Sequence, residues 1–98
     1  MRRSFKDHLR AYCNVHGYSW CDTEEDGRWI MRVDHFIRIF NDSHQKNTYV
    51  LVDNISGIRC TAVASAWDIM CDVLGELMSG HLKKRQESGH GYCLIVDK

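Results

Sequence analysis

The feature that most constrains the fold is a stretch of fourteen residues, 28–41, that contains neither glycine nor proline and is rich in β-branched and aromatic residues. Such a stretch is typical of extended strand structure. Its odd positions hold Trp29, Met31, Val33, His35, Ile37 and Ile39, and its even positions hold Arg28, Ile30, Arg32, Asp34, Phe36, Arg38 and Phe40. The sequence therefore predicts one long strand from Arg28 to Asn41, with a β-bulge near Asp34 and His35.

Shorter elements are predicted on both sides of this strand. Ser4 as an N-cap and Gly17 as a stop predict a helix over residues 4–16. A second helix is predicted over residues 61–79, and strands are predicted at 18–22, 48–53 and 92–96. The expected fold class is α+β, with a three-stranded antiparallel meander, a C-terminal strand and two helices in the order α-β-β-β-α-β. Because 98 residues are too few for two hydrophobic cores, the chain predicts a single domain, 1–98.

Both faces of the predicted sheet carry apolar side chains. Loops at 23–27 and 42–47 would set Trp20 opposite Ile30, and Phe40 opposite Tyr49. One face is then aliphatic and suited to helix packing, with Trp29, Met31, Val33, Ile37, Ile39, Val50 and Val52. The other face gathers aromatic and basic groups, namely Tyr18, Trp20, Ile30, Phe36, Phe40, Tyr49 and Leu51 with Arg28, Arg32 and Arg38. A slip of one residue in either hairpin would move the side chains of the short strand to the other face.

Three interpretations of the aromatic and basic face remain open. The two helices cover opposite faces of the sheet; or the face binds another protein or a second copy of the chain; or it stacks single-stranded nucleic acid. Thirteen basic residues balance thirteen acidic ones, and this zero net charge disfavours nucleic acid. The predicted partner-binding residues are Phe36, Arg38 and Phe40 at the centre, with Arg28, Arg32, Tyr49 and Trp20 around them.

Charged residues near the second predicted helix form a secondary candidate surface. Asp68, Asp72 and Glu76 are spaced four residues apart, so they share one face of that helix. Lys83, Lys84 and Arg85 form a short basic run after it. These residues form either a solvated outer face or a contact for a charged partner.

Histidine and cysteine residues near the N-terminus provide a weak zinc alternative. His8, Cys13, His16 and Cys21 include a pair at i, i+3 spacing, but no Cys-x-x-Cys motif accompanies them. We therefore expect a buried thiol beside a partly exposed histidine, with no metal and no cofactor. The odd number of cysteines, five, favours a reducing cytoplasm.

Motifs for catalysis are absent from the sequence, which has no glycine-rich phosphate loop, no G-x-S-x-G and no His-Glu-x-x-His. No signal peptide and no membrane-spanning run is expected. The sequence favours a small, non-enzymatic, cytoplasmic protein that binds and inhibits or modulates a protein or nucleoprotein partner. Phage-encoded or mobile-element-encoded antagonists of host defence, acting in the host cytoplasm, are one class of such proteins. The alternative is a single-stranded nucleic-acid-binding domain.

Overall fold

The computed structural model describes residues 4–80. Their elements are α1 (Phe5–His16), β1 (Trp20–Glu25), β2 (Arg28–Val33), β3 (Ile37–Asn41), β4 (Thr48–Asp53), β5 (Arg59–Val63), a 3₁₀ turn (Ala64–Ala66) and α2 (Trp67–Ser79). The strands form one antiparallel sheet in chain order, in which each strand pairs with the next. The α+β class is confirmed, whereas the expected order α-β-β-β-α-β is wrong, because residues 4–80 follow the order α-β-β-β-β-β-α. The predicted strand at 92–96 lies outside the described residues.

The first helix follows the capping residues that predict it. The backbone N–H of Asp7 donates to Ser4 Oγ at 3.2 Å, and Gly17 ends the helix in the left-handed region at φ 73°. Phe5, Leu9 and Cys13 are buried at four-residue spacing, so one stripe of the helix faces the core.

The prediction of a single long strand from Arg28 to Asn41 is wrong, because residues 34–36 form a turn between β2 and β3. Asp34 adopts a positive φ of 57°, which aspartate tolerates better than most residues other than glycine. Val33 pairs with Ile37 across this hairpin, and paired residues point to the same face of a sheet. The division of β2 and β3 into two faces is therefore correct, although the continuous strand is not.

The predicted registers of both flanking hairpins are wrong. Asp26 and Gly27 both have positive φ and form a two-residue turn, so β1 extends to Glu25. Trp20 consequently pairs with Val33 instead of Ile30. In the second hairpin, Phe40 pairs with Val50 instead of Tyr49.

These registers reverse the faces of several residues, since one step along a strand changes the face. Trp20, Tyr49 and Leu51 lie on the same face as Met31, and Val50 and Val52 lie on the face that holds Ile30 and Phe40.

The second helix begins at Trp67 instead of Thr61. Residues 59–63 form strand β5, in which Cys60 pairs with Leu51 and Ala62 pairs with Tyr49. The local sequence is rich in alanine, which favours helix, but ladder pairing and the burial of Cys60 and Ala62 override that preference.

Both helices pack on one face of the sheet, which we call the covered face. The shared core comprises Phe5, Leu9, Cys13, Met70, Cys71, Val73, Leu74 and Leu77 from the helices, and Met31, Val33, Ile37, Ile39, Leu51, Cys60 and Ala62 from the strands, with Ile58 before β5. The sequence pattern predicts that Trp67 and Leu74 pack against an aliphatic face made by Met31, Val33, Ile37 and Val50. Leu74 shares one core cluster with Met31, Val33 and Ile37. Val50 is wrong in this set, because it pairs with Phe40 and lies on the opposite face of the sheet. The same expectation for Trp67 is wrong, because Trp67 is 37% exposed and stacks on His8 with ring centroids 3.7 Å apart.

Candidate interaction surface

The opposite side of the sheet, which we call the open face, carries a second set of apolar and basic side chains. Ile30 and Val50 are buried there, yet they do not belong to the core that the helices form. Within residues 4–80, both helices contribute their buried residues to the covered face. The interpretation in which the two helices cover opposite faces is therefore wrong for this part of the chain.

Strand pairing arranges the open face in rows that run across the strands. One row, which we call the basic row, contains Cys21, Arg32, Arg38, Val52 and Arg59, each paired with the next. The adjacent row, which we call the apolar row, contains Thr23, Ile30, Phe40, Val50 and Thr61. Rows two residues apart along a strand are separated by about 7 Å, so one partner element can contact both.

Charge is distributed unevenly between the two sides of the sheet. In the described part of the chain, the strand positions of the open face carry four arginines and one glutamate: Arg28, Arg32, Arg38, Arg59 and Glu25. Over the same residues, α1, α2 and the covered face carry seven acidic and two basic residues: Asp7, Asp22, Glu24, Asp53, Asp68, Asp72 and Glu76, with Lys6 and Arg10. The zero net charge of the chain thus conceals a basic open face.

Arg38 lies at the centre of the basic row and lacks a charged partner among residues 4–80. Its Nε is buried without a hydrogen-bond acceptor, and its Cζ lies 5.9 Å from the centre of the Phe40 ring. Arg32 lies directly opposite it on β2, and like charges in that arrangement repel. Arg38 is therefore a cation whose surroundings favour an added anion.

Arg32 is held by a carboxylate from the neighbouring strand. Its Nη2 donates to Glu25 Oε2 at 2.5 Å, and both side chains are close to half-exposed. Glu25 lies opposite Arg28 on β2, and Ile30 of the apolar row lies between Arg28 and Arg32 on the same face. The Arg32–Glu25 ion pair therefore runs along the strands and passes beside the apolar row. An exposed pair of this kind contributes only about 0–1 kcal/mol, so a partner's carboxylate can replace it.

A cavity of about 480 Å³ opens beside the basic row. Ile30 and Phe40 provide its apolar lining, and Arg28 and Arg38 provide positive charge. Glu25 and Asp26 line its remaining part. The cavity therefore combines an apolar floor with charged groups of both signs.

The structure divides the predicted partner-binding residues into two groups. Arg28, Arg32, Arg38 and Phe40 lie together on the open face. The other three pack toward the helices. The Tyr49 ring stacks on the Phe5 ring with centroids 3.8 Å apart, and Trp20 donates its Nε1–H to Asn14 Oδ1 at 2.9 Å. Phe36 packs from the turn before β3 against the core. Sequence reasoning missed Arg59, because residues 59–63 carry an alternating strand pattern that the neighbouring alanines obscure.

The secondary charged surface is only partly described. Asp68 and Asp72 are exposed on α2, and Glu76 is half-buried on the same helix. Lys83, Lys84 and Arg85 lie outside the described residues.

The four residues of the zinc alternative are not brought together. Cys13 is buried in the core, where burial raises the pKa of its thiol to about 11. Cys21 is exposed on the open face, His8 stacks on Trp67, and His16 packs near Tyr12 with ring centroids 4.3 Å apart. In the described part of the chain, no three His, Cys, Asp or Glu side chains form a metal-binding group.

Neither helix of residues 4–80 is long and apolar enough to cross a membrane. The chain matches no model of a protein family, no curated protein and no solved structure.

Proposed function

We propose that this protein is a non-enzymatic interaction module that binds a partner protein through the open face of its sheet. The observation that carries the proposal is the position of Arg38 and Phe40 at the centre of a face that neither helix packs on. Arginine and aromatic residues dominate the binding energy of protein interfaces, especially near the centre of a contact.

A protein partner fits the open face better than single-stranded nucleic acid does. Stacking of successive bases requires several aromatic side chains on one face. Within residues 4–80, Phe40 is the one aromatic residue among the strand positions of the open face, since Trp20 and Tyr49 lie on the covered face. The surface instead mixes arginine with aliphatic side chains, which is typical of protein contacts.

Inhibition or modulation of the partner follows from this mode of action. The groups on the open face are mainly guanidinium, aliphatic and hydroxyl groups, which bind and cover a surface. A small protein that acts in this way changes its partner's activity by masking a functional surface or by holding one conformation.

The proposal is tested by capture from a lysate of the organism that encodes the protein, followed by mass spectrometry. The immobilised proteins are the wild type, Arg38→Ala, Phe40→Ala and two controls on the helical side, Lys6→Ala and Val15→Ala. Val15 is 79% exposed on α1, so its truncation leaves the open face unchanged.

We expect a partner that the wild type and both controls retain and that both open-face variants lose. With that partner purified, each open-face variant should weaken binding by at least about 1–2 kcal/mol. Equal retention by all five proteins would contradict the proposal. Preferential binding of single-stranded DNA, with an affinity that falls steeply as salt rises, would favour the nucleic-acid alternative.

A further inference from the structure

We infer that the partner contributes an acidic segment with an apolar anchor, which places its carboxylates on the basic row and its anchor in the cavity beside Phe40. The inference rests on the proposed function and specifies the chemistry of the partner at the same surface.

Like-charge crowding along the basic row is the first reason. Arg32 and Arg38 are directly paired on adjacent strands, and Arg59 lies two strands beyond Arg38 in the same row. Adjacent strands are about 4.8 Å apart, so three guanidinium groups originate within about 15 Å of one another. Their mutual repulsion decreases when carboxylates bind between them.

The state of Arg38 is the second reason. In residues 4–80 it forms no ion pair, and its Nε–H is buried without an acceptor. The guanidinium therefore has no counter-charge within residues 4–80, and a carboxylate that accepts from its Nη groups supplies one.

The lining of the cavity explains why the segment also needs an apolar residue. Ile30 and Phe40 contribute hydrocarbon surface next to Arg38, so an aliphatic or aromatic side chain is favoured there. Glu25 and Asp26 line the same cavity and repel a carboxylate placed beside them. The acidic residues of the segment are therefore directed away from the β1–β2 turn and toward the basic row.

Binding of blocked peptides, followed by backbone amide chemical shifts, tests the inference. The probe is an alanine-based peptide of glutamate and leucine residues, and the matched probe has glutamine in place of every glutamate. The proteins are the wild type, Arg38→Gln, Glu25→Gln and Lys6→Gln. Lys6→Gln removes the same charge as Arg38→Gln, but on α1, where Lys6 lies over the Trp29 ring.

We expect the glutamate peptide to shift amides of β2 and β3 and to bind about tenfold more weakly to Arg38→Gln, which corresponds to about 1.4 kcal/mol. Glu25→Gln should bind it a few-fold more tightly, because the mutation removes the internal competitor for Arg32. Lys6→Gln should stay within about twofold of the wild type, since Lys6 lies on α1 over the Trp29 ring, on the other side of the sheet.

Several outcomes would overturn the inference. These are equal binding of the glutamine peptide, no shifts in β2 and β3 at millimolar peptide, or an unchanged affinity in Arg38→Gln. Self-association that Arg38→Gln abolishes, without peptide binding, would assign the face to a second copy. If the peptides fail while a captured partner still depends on Arg38, this inference fails and the proposed function stands.

Discussion

At the scale of single residues, Arg38 and Phe40 allow the proposed binding to be tested separately from folding. Both side chains are half-buried on the open face, outside the core that the helices complete. Emptying a fully buried aromatic site costs about 3–5 kcal/mol. We expect Phe40→Ala and Arg38→Ala each to lower the free energy of unfolding by less than about 2 kcal/mol while weakening partner binding. Urea unfolding and partner titration of the same samples check this. A large loss of stability with unchanged binding would contradict the proposed interface.

Leu74 is the contrasting case in the core. It is fully buried between α2 and the covered face. Leu74→Ala should lower the free energy of unfolding by about 2–5 kcal/mol, because a cavity remains where the side chain was. Ile69→Ala is the control on the same helix, since Ile69 is 37% exposed. Similar urea midpoints for the two variants would contradict the packing of α2.

Two buried thiols predict a loss of stability at alkaline pH. Burial raises the pKa of Cys13 to about 11 and, as the largest cause, that of Cys71 to about 12, from an ordinary value of 9.0. As the pH rises, these thiols therefore ionise at a lower pH in the unfolded chain than in the folded protein. Their contribution to the free energy of unfolding is complete below about pH 9 and is lost as the pH rises through their pKa values in the folded protein.

The measurement is the free energy of unfolding at about pH 8 and about pH 10. The double variant Cys13→Ala, Cys71→Ala should show a smaller decrease than the wild type, and Cys21→Ala, at an exposed thiol, should match the wild type. Identical decreases in all three proteins would contradict the role of the buried thiols.

At the scale of elements, the β2–β3 turn depends on the backbone conformation of Asp34. Its φ of 57° is costly for a β-branched residue and free of strain for glycine. Asp34→Val should lower the free energy of unfolding by about 1–3 kcal/mol, and Asp34→Gly should leave it close to that of the wild type. His35→Val, at the next and exposed position, is the control. Equal stability of Asp34→Val and His35→Val would show that the turn does not require positive φ.

The contact between the two helices depends on Gly75. A Cβ at this position would lie 2.3 Å from Tyr12 Oη and 3.5 Å from Tyr12 Cζ, so only the hydroxyl clashes. Replacing glycine by alanine inside a helix usually raises the free energy of unfolding by roughly 1 kcal/mol. Gly75→Ala alone should not show this gain, because of the clash with the Tyr12 hydroxyl. In the Tyr12→Phe background the same substitution should stabilise the protein. A double-mutant cycle with no coupling would contradict the close approach at this position.

At the scale of the whole molecule, the fold separates the face on which α1 and α2 pack from the face that they leave uncovered. Both helices bury one face of the sheet. A partly buried hydrogen bond also joins α1 to the edge strand β1, where Arg10 Nε donates to Asp22 Oδ2 at 2.9 Å. The other face retains the basic and apolar rows. The proposed binding residues are therefore distinct from the core residues, so variants of the open face test the proposed binding without emptying the core.

The sequence by itself determined the α+β class, the first helix and the face assignment of β2 and β3. The caps at Ser4 and Gly17 are local signals, and alternation along residues 28–41 persists through the turn because Val33 pairs with Ile37. Arg28, Arg32, Arg38 and Phe40 were placed on one face for the same reason.

Only the tertiary structure decided the number of strands, the registers of the flanking hairpins and the location of both helices on one face. Asp34 replaces the glycine or proline that would mark a turn, and a two-residue turn at Asp26 and Gly27 sets β1. Because side chains alternate with a period of two, those registers moved Trp20 and Tyr49 to the covered face and Val50 to the open face. Residues 59–63 became a strand because β4 offered an edge to pair with, a long-range interaction that local helix propensity does not record.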